Sequence, residues 1–152
     1  MLKLGKLADY ATVLITALAA RPQQLSNAHE LADRTHVPLP TVSKLLKLLN
    51  KAGLVEAQRG ASGGYRLARA PEAVTVADVI RAVEGPIAIT ECSTHGTGCG
   101  IQSTCASKNN WRLIDTAIRH ALESVTLAQM AAPMTRRMLE APVKFISQAA
   151  RI

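Results

Sequence analysis

Residues 27–53 constrain the fold most, because they carry two apolar patterns of helical spacing on either side of a sharp break. Asn27 stands where it can cap the first helix, and Glu30 occupies the third position after it. Pro40 suits the first turn of the second helix, where a missing N–H costs nothing, and Gly53 ends that helix. The second helix has an apolar face made of Val42, Leu45, Leu46 and Leu49. Together these signals predict a helix–turn–helix.

A β-hairpin is predicted directly after this helix pair. Two short strand-like segments, residues 54–57 and 64–67, flank a glycine-rich turn with Arg59 at its tip. A hairpin in this place is a wing, which makes the N-terminal part a winged helix–turn–helix. Glycine-rich loops also cradle phosphates in nucleotide sites, but this loop lies between strands and lacks the Walker pattern, which disfavours nucleotide binding.

Positive charge collects on the same N-terminal part. The 152-residue chain has a net charge of +7, and residues 1–70 contribute +6 of it, from ten Lys or Arg against four Asp or Glu. Such a basic half is typical of proteins that bind phosphate-rich partners. A merely solvated basic surface and a polar face for a protein partner are the alternatives. The candidate contacts to double-stranded DNA are Thr41, Ser43, Lys44 and Lys47 on the second helix, and Arg59, Ser62 and Gly63 on the wing.

All three cysteines, Cys92, Cys99 and Cys105, lie in one run rich in Gly, Ser and Thr. Their odd count argues against a disulfide framework. Structural zinc usually takes paired C-x-x-C ligands, whereas the spacing here is C-x6-C-x5-C, and inert buried cysteines fit a flexible polar loop poorly. Soft thiolates in a glycine-rich loop fit an iron–sulfur cluster best. Three cysteines leave the usual set one ligand short, so a fourth must come from elsewhere.

The first helix is predicted over residues 4–20, where apolar residues form one face. This stretch could be mistaken for a signal peptide, but Asp9 and Thr12 interrupt its apolar run. We therefore expect a cytoplasmic protein, and no other segment is long enough to span a membrane. Asp9 lies about 160° around the helix from the apolar stripe, with Leu2 and Val13 on its side. An apolar neighbour there suggests that something covers this face, although an ordinary solvated Asp is the alternative.

The C-terminal part is predicted to be helical and then loose. Thr75 is expected to cap a helix over 76–84. From Asn109 onward an apolar seam predicts a long helix that pairs two subunits, with folding back on its own domain as the alternative. The seam consists of Trp111, Ile114, Ile118, Leu122, Val125 and Met130. The expected protein is mainly α with a small β-hairpin wing, divided into a winged helix–turn–helix (1–85), a cysteine loop (86–108), a dimerisation helix (109–130) and a C-terminal tail (131–152).

The order of these elements, the wing at residues 59–67 and the three spaced cysteines together resemble a known family. The sequence is similar to the winged-helix iron–sulfur transcriptional regulators of the IscR and NsrR types, and looks most like the regulators of the SUF cluster-assembly operon. The resemblance implies a homodimer that binds a pseudo-palindromic promoter site. It also implies that DNA affinity is tuned by a [2Fe–2S] or [4Fe–4S] cluster.

The resemblance assigns cluster ligands residue by residue. The three cysteines match the family's thiolate ligands, and Asp9 matches the Asp that the nitric-oxide-sensing branch supplies from the other subunit. IscR-type relatives use a His shortly after the third cysteine, where this chain has Lys108 and Asn109. His95, inside the loop, is a further candidate outside the family pattern.

Two alternatives stand beside this interpretation. No nucleophile–base constellation is visible around the four histidines, so an enzyme or a cluster carrier is the weaker hypothesis, and no small-molecule substrate is expected. Within the class of regulators, a repressor whose loop holds zinc, or that responds to thiol oxidation or nitric oxide, is the alternative.

Overall fold

The computed structural model describes residues 4–60, 62–90, 99–101 and 103–133. In chain order its elements are α1 (Lys6–Ala19), α2 (Ala28–Thr35), α3 (Leu39–Lys51), β1 (Val55–Gln58), β2 (Gly64–Leu67), a 3-10 turn (Pro71–Ala73), α4 (Val76–Glu84), α5 (Lys108–Glu123) and α6 (Leu127–Ala131). The strands β1 and β2 form a two-stranded antiparallel sheet. The predicted mainly helical architecture with a small hairpin is therefore confirmed.

An aliphatic core surrounds α1, which packs against the other helices of the N-terminal part, against β2 and against α6. Its buried face follows helical spacing through Ala11, Leu14, Ile15 and Leu18. Because aromatic residues are only 3% of the sequence, leucine, isoleucine and valine fill the interior. Leu4, which the sequence placed on the same face, is 43% exposed, since it precedes the first turn of the helix.

The helix–turn–helix forms as predicted, and the helix ends give the reason. Asn27 Oδ1 accepts a hydrogen bond of 2.9 Å from the backbone N–H of Glu30, which satisfies an amide in the first turn of α2. His36 then adopts a left-handed φ of 56° and turns the chain towards α3. Pro40 lies in the first turn of α3, and Gly53 follows its last turn with a φ of 69°.

The hairpin also forms, with β1 starting one residue later than predicted, at Val55. Strand β2 lies against the segment that precedes α2. Ser26 and Tyr65 exchange backbone hydrogen bonds of 3.0 and 2.9 Å, which extends the sheet by one bridge. A Cβ on Gly64 would lie 2.9 Å from the backbone of Ser26, so glycine permits this close approach.

The single helix predicted over 109–130 is wrong, because two helices occupy this range. Helix α5 ends at Glu123, and α6 begins at Leu127 with Thr126 as its cap. The Thr126 hydroxyl accepts from the backbone N–H of Gln129, while the Gln129 side chain accepts from the Thr126 N–H. This capping box starts a new helix and interrupts the old one, although the apolar spacing continues across the break.

The helix α6 folds back onto the winged helix. The backbone N–H of Val76 donates to the Val125 carbonyl over 2.9 Å, and the N–H of Leu127 donates to the Val74 carbonyl over the same distance. Leu127 is completely buried and α6 packs against α1. The C-terminal part of the chain therefore completes the core of the N-terminal part.

The apolar seam of α5 has two different surroundings. Ile118 and Leu122 line a groove of about 400 Å³ together with Leu4, Ile80 and the chain from residue 85 to 89. This half of the seam faces its own domain, as the alternative interpretation held. The large apolar side chains of α5 that are exposed by about two fifths or more are Trp111, Leu113 and Ile114.

None of the helices in the described ranges is long and apolar enough to cross a membrane. The C-terminal tail that we predicted from residue 131 is described only as far as residue 133. The remainder of the predicted tail lies outside the described residues.

Candidate functional site

The exposed side of α3 carries the residues predicted to contact DNA. Lys44 and Lys47 are exposed, and Thr41 and Ser43 lie half-buried beside them. The opposite side of α3 is fully buried in the core through four aliphatic residues. A helix that is held by one face and presents cations and hydroxyls on the other can lie in a major groove and contact bases and phosphates.

Lys51 extends this basic stripe and was missed in the sequence. It lies four residues beyond Lys47, in the last turn of α3, and is exposed. The spacing of three and four residues from Lys44 to Lys47 to Lys51 places all three ammonium groups on one side of the helix. The same spacing would have revealed Lys51 in the sequence, had the stripe been followed to the end of the helix.

The tip of the wing presents Arg59 and Ser62, both exposed, with half-buried Gly63 beside them. Gly63 closes the turn by donating its N–H to the Gly60 carbonyl over 3.0 Å. A Cβ on Gly63 would lie 2.3 Å from the Gln58 carbonyl oxygen, so the tight turn requires glycine there. The turn places the Arg59 guanidinium in solvent, where it can reach a DNA groove.

Two other basic side chains of the N-terminal part have structural partners. The Arg34 guanidinium donates to the Ala17 carbonyl over 3.0 Å and pairs with Glu30, which fastens α2 to α1. Arg66 pairs with Glu56, its cross-strand neighbour in the hairpin. Arg34 and Arg66 are therefore less available to DNA phosphates than the exposed lysines of α3.

The described part of the cysteine loop holds two of the three predicted thiolate ligands. Cys99 and Cys105 are free thiols, and both are half-buried. Cys92 and His95 lie outside the described residues. An open hollow of about 480 Å³ is lined by Cys99, Gly100, Ser103 and Lys108.

The chemistry of this hollow fits a thiolate-bound cluster. Cysteine thiolates are the usual ligands of iron–sulfur clusters. Lys108 lines the same hollow as Cys99 and contributes a positive charge to a site where thiolates and inorganic sulfide would concentrate negative charge. Gly100 has open space where a Cβ would lie, so the backbone there leaves room next to the sulfur.

Asp9, the fourth predicted ligand, is exposed in the first turn of α1. With Leu4, Gly5 and Lys6 it lines a second open hollow, of about 640 Å³. Val13, one turn further along the helix, is 42% exposed, so Asp9 has the apolar neighbour that the sequence indicated. Over the described ranges no three His, Cys, Asp or Glu side chains come together as a metal site. Within one chain, Asp9 therefore does not complete a set with the two described cysteines.

Helix α4 lies between the two candidate sites, because it packs against α1, α3 and α5. Thr75 caps this helix in a capping box with Asp78, which confirms the predicted cap. Burial raises the pKa of Asp78, but hydrogen bonds from Thr75 and the positive charges of Arg81 and Arg69 outweigh that effect and lower the pKa below its usual value. Arg81 also lies 3.1 Å from a carboxylate oxygen of Glu123, which connects α4 to α5.

Comparison with known proteins agrees with this arrangement. The model of the Rrf2 family, described as an iron-dependent transcriptional regulator, matches residues 4–133. The HTH-type transcriptional regulator NsrR of Halalkalibacterium halodurans is 30% identical over 131 residues, which are 85% of this chain and 90% of that protein.

Solved structures share the fold over most of their length. CymR, the global cysteine regulator of B. subtilis, matches with a TM-score of 0.70 at 30% identity, over 86% of this chain and 97% of that chain. IscR of T. potens matches with a TM-score of 0.68 at 30% identity, over 91% and 96% of the two chains. These relatives are transcriptional regulators and not enzymes. The chain therefore belongs to the Rrf2 family of winged-helix, DNA-binding transcriptional regulators.

Proposed function

We propose that this regulator binds promoter DNA as a homodimer and that an iron–sulfur cluster on its cysteine loop tunes the binding. The observation that carries the proposal is the pair of half-buried free thiols, Cys99 and Cys105, in a loop that runs directly into α5. Cys92, Cys99, Cys105 and Asp9 of the partner subunit would hold the cluster. The cluster would be of the [2Fe–2S] or the [4Fe–4S] type.

The homodimer is supported by the apolar surface on the first half of α5. Trp111 and Ile114 lie three residues apart on one side of α5 and are 41% and 43% exposed, and neighbouring exposed apolar side chains favour burial against a second copy. Two-fold pairing would place two α3 helices in successive major grooves, about 34–36 Å apart. This geometry suits a pseudo-palindromic promoter site.

The ligand set explains how the loop can act on DNA binding. When bound, an iron–sulfur cluster would link the cysteine loop of one subunit to Asp9 of the partner subunit, and oxygen, nitric oxide or iron shortage could remove that link. Asp9 would be the weakest ligand of the set, because a carboxylate is a harder ligand than thiolate and suits iron of this kind less well. Bound there, Asp9 would join α1 of one subunit to the loop of the other, and the presence or absence of that connection would alter DNA affinity although no ligand atom touches DNA.

The proposed targets are the genes of SUF cluster assembly, on the basis of the sequence resemblance alone. A regulator of these genes acts on chromosomal promoters, which makes the cytoplasm its proposed location. The cysteine chemistry suits this role, because occupancy of the loop would report the supply of clusters that the target genes control.

The test is to purify the full chain without oxygen and to measure visible absorbance, iron and sulfide, together with promoter binding before and after cluster loss. A coloured protein whose DNA affinity changes at least severalfold on cluster removal is the expected result. A colourless protein with one zinc per subunit would establish the zinc alternative instead. Metal-free protein whose DNA binding changes only on oxidation would establish the thiol alternative.

Variants separate the ligands from one another. Cys99→Ala and Cys105→Ala should abolish or greatly weaken cluster binding, whereas Asp9→Ala should form a cluster that is lost faster in air. Asp33→Ala removes an equally exposed carboxylate from α2 and should behave like wild type. If Asp9→Ala keeps the wild-type spectrum and the wild-type lifetime in air, Asp9 is not a ligand and His95 becomes the next candidate.

A further inference from the structure

Asp115 is a buried acid on a helix whose neighbouring side chains are exposed. Its exposed fraction is 6%, whereas Leu113 and Ile114 before it are 59% and 43% exposed. Ser26 and Asp115 are the buried polar or charged residues among those the structure describes. Burial of a carboxylate is costly unless hydrogen bonds compensate for lost water. Since α5 offers solvent on other sides, the position of Asp115 calls for a specific partner.

That partner is the backbone at the start of the cysteine loop. The N–H of Ile89 donates to Asp115 Oδ1 over 3.0 Å, across a sequence separation of 26 residues. Ile89 stands three residues before the first cysteine of the loop. A backbone N–H and a buried carboxyl oxygen that pair in this way each satisfy a polar group that burial has removed from water, so this contact fixes the loop entrance on α5.

The other end of the loop is fixed on the same helix. The N–H of Lys108, the first residue of α5, donates to the Cys105 carbonyl over 3.3 Å. Lys108 and Asp115 are seven residues apart on the helix, which corresponds to a rise of about 10 Å. One rigid helix therefore holds both ends of the segment that contains all three cysteines.

We propose that Asp115 is a positioning residue that holds the cysteine loop in its ligand-binding arrangement. This inference rests on the proposed function and names the residue that prepares the site. A loop whose ends are fixed loses less conformational freedom when it binds, so fixing it in advance raises affinity. Asp115 needs no contact with the cluster for this effect.

The test compares Asp115→Ala, Asp115→Asn and the exposed control Asp33→Ala in the full-length protein. The first readout is amide hydrogen exchange at Ile89 in metal-free protein, which needs no cluster. Loss of this buried hydrogen bond should speed exchange at Ile89 by roughly tenfold in Asp115→Ala. Exchange in α1 and α3 should stay unchanged, which shows that the variant is folded. Asp115→Asn retains an oxygen that can accept from Ile89 and should restore most of the protection.

The second readout is the lifetime in air of the anaerobically reconstituted chromophore. It should shorten several-fold in Asp115→Ala and stay near wild type in Asp115→Asn and Asp33→Ala. Wild-type exchange at Ile89 in Asp115→Ala, with α1 and α3 intact, would overturn the inference. Faster exchange with an unchanged lifetime would also overturn it, because the contact would then not serve ligand binding. If wild type never acquires a chromophore, the proposed function fails, whereas the exchange data still decide whether Asp115 holds the loop.

Discussion

Replacing Leu127 by Ala tests whether α6 completes the core. Leu127 is 0% exposed and belongs to the same core cluster as the buried leucines of α1 and α3. The change removes three carbons, worth about 2.4 kcal/mol at about 0.8 kcal/mol for each buried methylene. Incomplete collapse of the cavity raises the cost to about 3–4 kcal/mol, within the range measured for buried Leu→Ala changes. This is a large share of the roughly 5–15 kcal/mol that stabilises a typical domain.

Urea unfolding at a fixed protein concentration measures this cost. The midpoint of Leu127→Ala should fall while the slope stays unchanged. Met130→Ala is the matched control, because Met130 is on the same short helix but 41% exposed. Its free energy of unfolding should stay within about 0.5 kcal/mol of wild type. A cost below about 1 kcal/mol for Leu127→Ala would contradict the packing of α6 and favour an α5 that continues away from the domain.

Three further predictions concern the dimer, the DNA and the pH dependence of stability. Ile114→Glu should be monomeric by light scattering and keep the helical circular dichroism of wild type, whereas Ile118→Glu should destabilise the fold, because Ile118 lines a groove on its own domain. If Ile114→Glu stays dimeric, the dimer interface does not include this part of α5. Arg59→Ala should weaken promoter binding by about 1–3 kcal/mol, and Lys51→Ala should lower the salt slope by about 1 for each lost phosphate contact, both measured by fluorescence anisotropy. Asp78 has a folded pKa below its unfolded value of 3.8, so its contribution is present above pH 3.8 and is lost as pH falls through the folded pKa. Urea midpoints of wild type and Asp78→Ala should therefore differ most above pH 3.8 and approach each other as pH falls from 3.8 through the folded pKa; a constant difference would contradict the lowered pKa.

The sequence predicted the elements whose signals are local. The cap at Asn27, the proline in the first turn of α3 and the Thr75 cap each act within a few residues, and all three are present. The exposed stripe of α3 followed from the same periodicity that placed its aliphatic residues inside.

The features that sequence reasoning missed depend on distant parts of the chain. The break before α6 carries a local signal, Thr126 followed by Gln129, but the continuing apolar spacing concealed it. What fixes the break is pairing with residues 74–76, about fifty positions earlier. The contact between Asp115 and Ile89 is likewise non-local, and no spacing rule places a helix side chain on a loop backbone.

Helix α4 connects the two halves of the proposed mechanism within each subunit. It packs against α1, which carries Asp9, against α5, whose Asp115 accepts from Ile89, and against α3, which carries the predicted DNA contacts. Helix α4 has nine residues; it begins after the capping box of Thr75 and Asp78 and ends at Gly85, whose φ is 90°. Both of its ends are therefore defined by specific residues. Densely packed helices shift as whole bodies, because a close-packed interior does not deform gradually. Under the proposed function, the partner's loop acts on α4 through α1, and the subunit's own loop acts on α4 through α5. Loss of the proposed ligands would therefore alter the packing of α4 through both α1 and α5, and α3 packs against the same helix.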